Sequence, residues 1–243
     1  MNPQAASVAP MSEPARLAGV YFEPGAAFAD IAARPRWWIP MVLIALAGLV
    51  MMSIFSQRVG WDHTVRRQIE ANERMQNLPP EQREQAIERG VKIAPVFGYL
   101  GALVFAPVGM LVIALALMLV FNSVYAAEIP FKRALAITTY ASLPGLIYIA
   151  LAILVMFIKS PEDYDIQNPL AFNVGAFLSS ESPRWLKALC SSFDLFTLWS
   201  IALLATGFSA AAARKIKWSK ALIGVIVPWL VWVGVKTGSA ALF

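Results

Sequence analysis

The chain has one cysteine, Cys190, and one histidine, His63, among its 243 residues. A single cysteine excludes an internal disulfide. A lone histidine cannot build a structural zinc site without several partners, and an intramembrane metalloprotease needs a pair of histidine ligands. Ser191 and Ser192 lack the GxSxG setting of a nucleophile elbow, and no histidine lies near them in sequence. There is no P-loop and no dinucleotide fingerprint. The expectation is a non-enzymatic chain with no catalytic, cofactor or metal residues. Charge is scarce as well: 14% of residues are charged, while 58% are hydrophobic. A soluble domain of this length has too little interior to hide that much apolar surface.

What is abundant comes in long apolar blocks. Five of them suit spans at about 37–55, 96–121, 134–158, 190–212 and 219–242. Each has the length of about 17–25 residues that crosses hydrocarbon as a helix. A membrane β-barrel would show short alternating segments, and these blocks do not alternate. The expected fold is all-α: a five-helix membrane domain over 37–243, preceded by a cytoplasmic segment over 1–36. That first segment lacks a long apolar region with a cleavage site behind it. No removable signal peptide is expected, and the first span is its own insertion signal.

Basic residues set the orientation. Lys132 and Arg133 lie between spans two and three, and "ARKIKWSK" between spans four and five supplies Arg214, Lys215, Lys217 and Lys220. The loop beginning "KSPEDYD" is acidic. The positive-inside rule makes the basic loops cytoplasmic, with the N-terminus inside and the C-terminus outside. Arg34 and Arg36 agree with this; the insertion over 56–94, with seven basic and six acidic residues, pulls the other way. The net charge of +5 reflects orientation rather than nucleic-acid binding.

Two segments lie outside the spans. "YFEPGAAFADIAARPRWWIP" predicts a short amphipathic helix at about 23–34, with Pro24 in its first turn and Pro35 after its end. Phe28, Ile31 and Ala32 share one face, and Trp37 and Trp38 suit the headgroup region. The helix is either an interfacial anchor through Phe28, Ile31, Trp37 and Trp38 or an element packed under the bundle. The 56–94 insertion reads as two polar helices broken at "LPP", with Arg66, Glu70 and Arg74 in an i,i+4 row and Ile69, Ile87 and Val91 as a thin apolar edge. It is either a cap on the bundle or a docking surface.

Two ionisable residues intrude clearly into the spans, Asp194 and Lys236. Ser182 and Pro183 suit the start of the fourth helix, outside the bilayer. Counted from the shared basic loop, Asp194 and Lys236 rise to similar heights, so an intramembrane ion pair is expected. The alternative is that each reaches the outer headgroups separately. Gly101, Pro107 and Gly109 in span two, and "SLPG" in span three, mark kinks. Packing by small residues is one reading of them, and the broken spans of a transporter the other.

Three stretches together resemble a known family: "PGAAFADIAARPRWWIP" before span one, "ITTYASLPGLI" in span three and "DLFTLWSIALLATGF" in span four. With five spans and a cytoplasmic N-terminus, the chain resembles the prokaryotic branch of the Yip domain family over roughly residues 20–243. Eukaryotic members are Golgi and endoplasmic-reticulum proteins that interact with Rab GTPases. The resemblance implies a membrane adaptor or organiser and no catalytic residues. The Ala- and Arg-rich composition suggests a bacterial source, so GTPase binding does not carry over. The expected setting is the bacterial inner (cytoplasmic) membrane, multi-pass. The expected partners are the lipid bilayer and a second copy of the chain or another membrane protein. A permease-like component using the kinked second and third spans is the alternative.

Overall fold

A computed structural model describes residues 10–70, 72–166, 168–179, 182–212 and 215–242. Expectations that rest on residues 1–9, Arg214 and Phe243 lie outside them. The described residues form twelve α-helices and no strand. In order these are α1 (Glu13–Phe22), α2 (Pro24–Ala33), α3 (Trp38–Arg58), α4 (Trp61–Glu70), α5 (Glu73–Gln76), α6 (Pro80–Leu100), α7 (Ala106–Tyr125), α8 (Phe131–Ala141), α9 (Pro144–Ile158), α10 (Arg184–Cys190), α11 (Leu195–Ala211) and α12 (Trp218–Leu242).

Four helical stretches are long and apolar enough to cross a membrane: Trp38–Arg58, Pro80–Tyr125, Phe131–Ile158 and Trp218–Leu242. α11 is equally apolar but shorter, at 17 residues, which at ~1.5 Å per residue is about 26 Å. Large apolar side chains such as Leu46, Val112, Leu154 and Val231 stand exposed along these helices. An aqueous protein rarely exposes such a continuous surface; a bilayer supplies its solvent.

The main core gathers around α8. Residues from Ala134 to Ala141 are all buried, enclosed by α7, α11 and α2. This segment, expected as the start of span three, is wrapped by protein, with α2 among the helices packed against it. Thr138 and Thr139 keep their hydroxyls satisfied within α8 by donating to the carbonyls of Ala134 and Ala136 at 2.9 and 3.1 Å. Phe121 of α7 stacks on Phe208 of α11 with ring centroids 4.4 Å apart. Gly207 sits where three helices converge: a Cβ there would lie 2.4 Å from Ile137 Cγ2 and 2.8 Å from Phe28 Cδ1. A second, smaller core closes the opposite end. There Phe55 of α3 meets Trp61 and Tyr164 at centroid distances of 4.8 and 6.0 Å.

Several expected details come out differently. The second helix of the insertion does not stop before span two. α6 runs through a π-helical turn, Gly101–Phe105, straight into α7. The π turn absorbs the amide that Pro107 lacks, so the backbone shifts register without breaking. Close helix contact near this turn is made by Gly48, whose Cβ would lie 3.0 Å from the Ala102 Cβ, while Gly101 and Gly109 face open space. The row of Arg66, Glu70 and Arg74 does not form, because α4 ends at Glu70 and Asn72 caps a new turn by accepting from the Arg74 amide at 3.1 Å. Arg66 instead bridges Asp62 and Glu84, which staples α4 to α6. The "SLPG" break is present: α8 ends at Ala141 and α9 begins at Pro144.

The turn from α7 to α8 holds two non-glycine residues in the left-handed region, Ala126 at φ 48° and Glu128 at φ 54°. Asn122 secures it, donating to the Ile129 carbonyl at 3.0 Å and accepting from the Ile129 amide at 2.8 Å.

Candidate functional site

The local sequence "SEPARLAGVYF" builds α1. Ser12 is the N-cap, accepting from the Ala15 amide at 3.4 Å, and Pro14 lies in the first turn, where its missing N–H costs nothing. Pro24 opens α2 immediately afterwards, so the chain reverses and the two helices pack together. At Gly19 a Cβ would lie 3.1 Å from the Ala27 Cβ, which fixes how closely α1 and α2 approach.

A chain of charges runs through the seam of this hairpin. Arg16 is only 3% exposed, and it donates to Asp30 at 2.6 Å and to Glu13 at 3.0 Å. Asp30, also buried, is further bridged by Arg34 and accepts from the Met11 amide at 3.2 Å. Glu13 meets Arg36 at 3.3 Å and accepts the Tyr140 hydroxyl at 2.6 Å. The order Tyr140, Glu13, Arg16, Asp30, Arg34 is thus one hydrogen-bonded line from the C-terminal end of α8 to the C-cap of α2. Tyr21 adds a second clamp, donating to the Leu143 carbonyl at 2.7 Å. Burial pushes the Tyr21 phenol above its ordinary value, so it remains a donor through the neutral range. Groups this well buried are tolerable only because nearly every donor finds an acceptor.

The line opens into a polar cleft of about 380 Å³, lined by Glu13, Arg16, Arg34, Arg36 and Lys132 among others. Lys132, in the first turn of α8, lines the cleft together with the arginines that precede span one. Cations outnumber the carboxylates here. A mouth with this balance of charge attracts an acidic group. Among the described residues, no three His, Cys, Asp or Glu side chains gather as a metal site.

The residues singled out in the sequence fall in two places. Phe28 and Ile31 have no exposed surface and sit in the main core, so within the structure they anchor α2 to the bundle rather than to lipid. Trp37 packs partly against that core, while Trp38 is 54% exposed. Phe22, at the tip of the α1–α2 hairpin, is 84% exposed.

Asp194 and Lys236 lie at the other end. The fourth helix is not continuous from Pro183: α10 ends at Cys190, and Asp194 is the N-cap of α11. Its carboxylate accepts from the Phe196 and Thr197 amides, each at 3.0 Å, and from the Thr197 hydroxyl. Lys236 donates to Ser192 at 3.1 Å and reaches Ser191 at 3.4 Å. Each group is held by partners other than the ion pair expected from their heights. A carboxylate at a helix start is stabilised by free amides and the helix dipole, so it needs no lysine. The pattern Asp194-x-x-Thr197 carries that signal. The Arg16–Asp30 pair lies beyond the sequence reading, which does not anticipate α1. Ser12 followed by Glu13-Pro14 is the start signal that could have found it.

A family model described as the Yip1 domain matches residues 18–237. The chain is also similar to the membrane protein YknW of Bacillus subtilis (strain 168), at 24% identity over 227 residues, covering 92% of this chain and 91% of the relative. No solved structure matches it. With its long apolar helices and a family match that takes in the α2–α8–α11 core, this integral membrane protein belongs to the Yip1 domain family.

Proposed function

We propose that this chain is a non-enzymatic organiser of the bacterial inner membrane that docks a membrane-protein partner, or a second copy of itself, on its cytoplasmic face. In this reading α11 is the fifth span, the N-terminus lies inside and the C-terminus outside. The observation that carries the reading is the cleft at the α1–α2 hairpin. A buried charge line fixes the hairpin to α8, and the mouth presents Arg34, Arg36 and Lys132, while the exposed ring of Phe22 stands at the other end of α1. A cluster of cations suits the recognition of an acidic segment, and the apolar ring at the far end of the same hairpin offers such a segment a separate apolar contact. Basic residues near the first and third spans also support a cytoplasmic placement. Photo-crosslinking in intact cells tests the reading, with probes at Phe22 and Lys132. A recurring protein crosslink that Arg36→Glu weakens is expected; crosslinks to lipid alone would overturn it.

A permease-like role is the second reading, drawn from the π turn at Gly101–Phe105 and the break after Ala141. Such irregularities cluster at functional sites in membrane helices. Its test is solute flux into proteoliposomes.

A further inference from the structure

Residues 168–179, "NPLAFNVGAFLS", carry no charged side chain, although they belong to the connection between α9 and α11. Phe172, Val174 and Phe177 are exposed there, Phe177 at 86%, and so is Trp185 in the first turn of α10. A loop that meets water on every side rarely gathers large apolar side chains on its surface. The segment is also firmly held. Val174–Phe177 is a 3-10 turn capped by Asn173, which accepts from the Ala176 amide at 3.1 Å and donates to Asn168 at 2.7 Å. The Leu195 amide donates to the Phe172 carbonyl at 3.1 Å, and the Val174 amide to the Phe193 carbonyl at 3.4 Å. The Phe172 ring meets Phe196 of α11 with centroids 6.0 Å apart. These bonds satisfy backbone groups within the protein, which is the condition for irregular main chain to enter a bilayer.

The helix lengths set the depth of this segment. α11 has 17 residues, at the lower limit of what crosses a bilayer. α12 is eight residues longer, or about 12 Å. The two pack along each other from the short link between Ala211 and Trp218, so α12 continues past the start of α11. α10 packs against that continuation, and Lys236 donates to Ser192, just after α10, at 3.1 Å. From Lys236 the helix still runs on to Leu242, which is exposed. The aromatic segment thus lies beside the last turns of a membrane-length helix rather than beyond its end. Its exposed side chains join those of Leu195 and Leu198 on α11. α10 also carries Arg184 and Lys187, which line a polar cleft with residues of α4. A helix with both kinds of residue suits the boundary between headgroups and hydrocarbon.

We propose that Phe172, Val174, Phe177 and Trp185 form a second membrane anchor, seated in the headgroup and upper acyl layer of the leaflet at this end. The segment extends the crossing that α11 makes and fills the space beside the last turns of α12. Its occupant is lipid, because the exposed side chains are continuous with helix surfaces that the bilayer already solvates, and aromatic rings favour this layer. The anchor rests on α11 being the fifth span, as read above, and on no residue of the α1–α2 cleft.

Spin labelling of the full chain in nanodiscs of phosphatidylcholine and phosphatidylglycerol tests the anchor. In a Cys190→Ser background, Phe177→Cys, Trp185→Cys, Leu198→Cys and Gln68→Cys each carry one nitroxide. All four positions are exposed, so the labels displace no core packing. Collision of each nitroxide with oxygen, which concentrates in lipid, is compared with collision with a water-soluble nickel chelate. The labels at Phe177, Trp185 and Leu198 are expected to meet oxygen more often than nickel. The nickel rate at Phe177 is expected to fall several-fold below that at Gln68. Nickel rates at Phe177 and Trp185 equal to that at Gln68, with Leu198 still favouring oxygen, overturn the anchor and leave the fifth span standing. Nickel-dominated collision at Leu198 overturns the fifth span and the anchor with it. Low rates with both reagents at Phe177 mean that protein covers the ring, and they overturn the assignment to lipid.

Discussion

Tyr140 donates its hydroxyl to the Glu13 carboxylate at 2.6 Å, joining the most deeply buried helix to the first one across 127 positions of sequence. This bond is the inner end of the charge line that holds the α1–α2 hairpin in place. Removing the hydroxyl leaves Glu13 short of one donor in a partly buried setting. Tyr140→Phe should therefore lower stability by about 1.5–3 kcal/mol, the range for hydrogen bonds to charged groups. Tyr21→Phe, which loses a bond to a neutral carbonyl, should cost about 1 kcal/mol. Denaturant unfolding of the purified chain in nanodiscs measures both.

The Arg16–Asp30 pair gives a sharper test, because breaking a buried pair from one side leaves an uncompensated charge. Arg16→Met or Asp30→Asn alone should each destabilise by about 3–5 kcal/mol. The double change should cost clearly less than the sum of the two. Additivity within about 0.5 kcal/mol would show that the pair is not coupled.

Gly207 marks the closest approach of α2, α8 and α11. Gly207→Val should destabilise by at least about 1–3 kcal/mol, since the added methyls meet Ile137 and Phe28. At Gly234, on α12, a Cβ would meet nothing within 4 Å. Gly234→Ala should be neutral, or stabilising by up to about 1 kcal/mol through helix propensity. Comparing the two unfolding midpoints separates packing from propensity.

How far the sequence led is clearest at these positions. The long apolar blocks announced the membrane helices, and the "SLPG" break, the Pro24 start and the Pro35 stop of α2 were legible from local chemistry. The surroundings of α8 were not. A run such as "ALAITTYA" has the same composition whether lipid or protein encloses it, and only the tertiary position of α1 and α2 decides. Asp194 shows the same limit at the candidate sites. Its height along the chain suggested Lys236, but the residues just after it, through Thr197, already supply the donors of a cap. Phe28 and Ile31 were correctly placed on one face, while the partner of that face was a matter of packing.

Acid should loosen the insertion. Hydrogen bonding from Arg66 holds the Glu84 carboxyl below its ordinary value of 4.5. A carboxyl with a lowered folded-state pKa stabilises above its unfolded value and loses that contribution as pH falls through the folded value. Pepsin cleavage between α4 and α6 should therefore accelerate as pH falls below about 4.5. In Glu84→Gln that acid-dependent step should be absent, with cleavage already faster at the upper end of the range.

The account places the α1–α2 cleft inside the cell and the insertion outside, and labelling single cysteines tests this directly. In a Cys190→Ser background, Phe22→Cys and Gln68→Cys are exposed to a membrane-impermeant maleimide on intact spheroplasts and again after lysis. The account predicts that Gln68→Cys is labelled on intact spheroplasts and that Phe22→Cys is labelled only after lysis. Labelling of Phe22→Cys from outside, or of both positions from the same side, would contradict it.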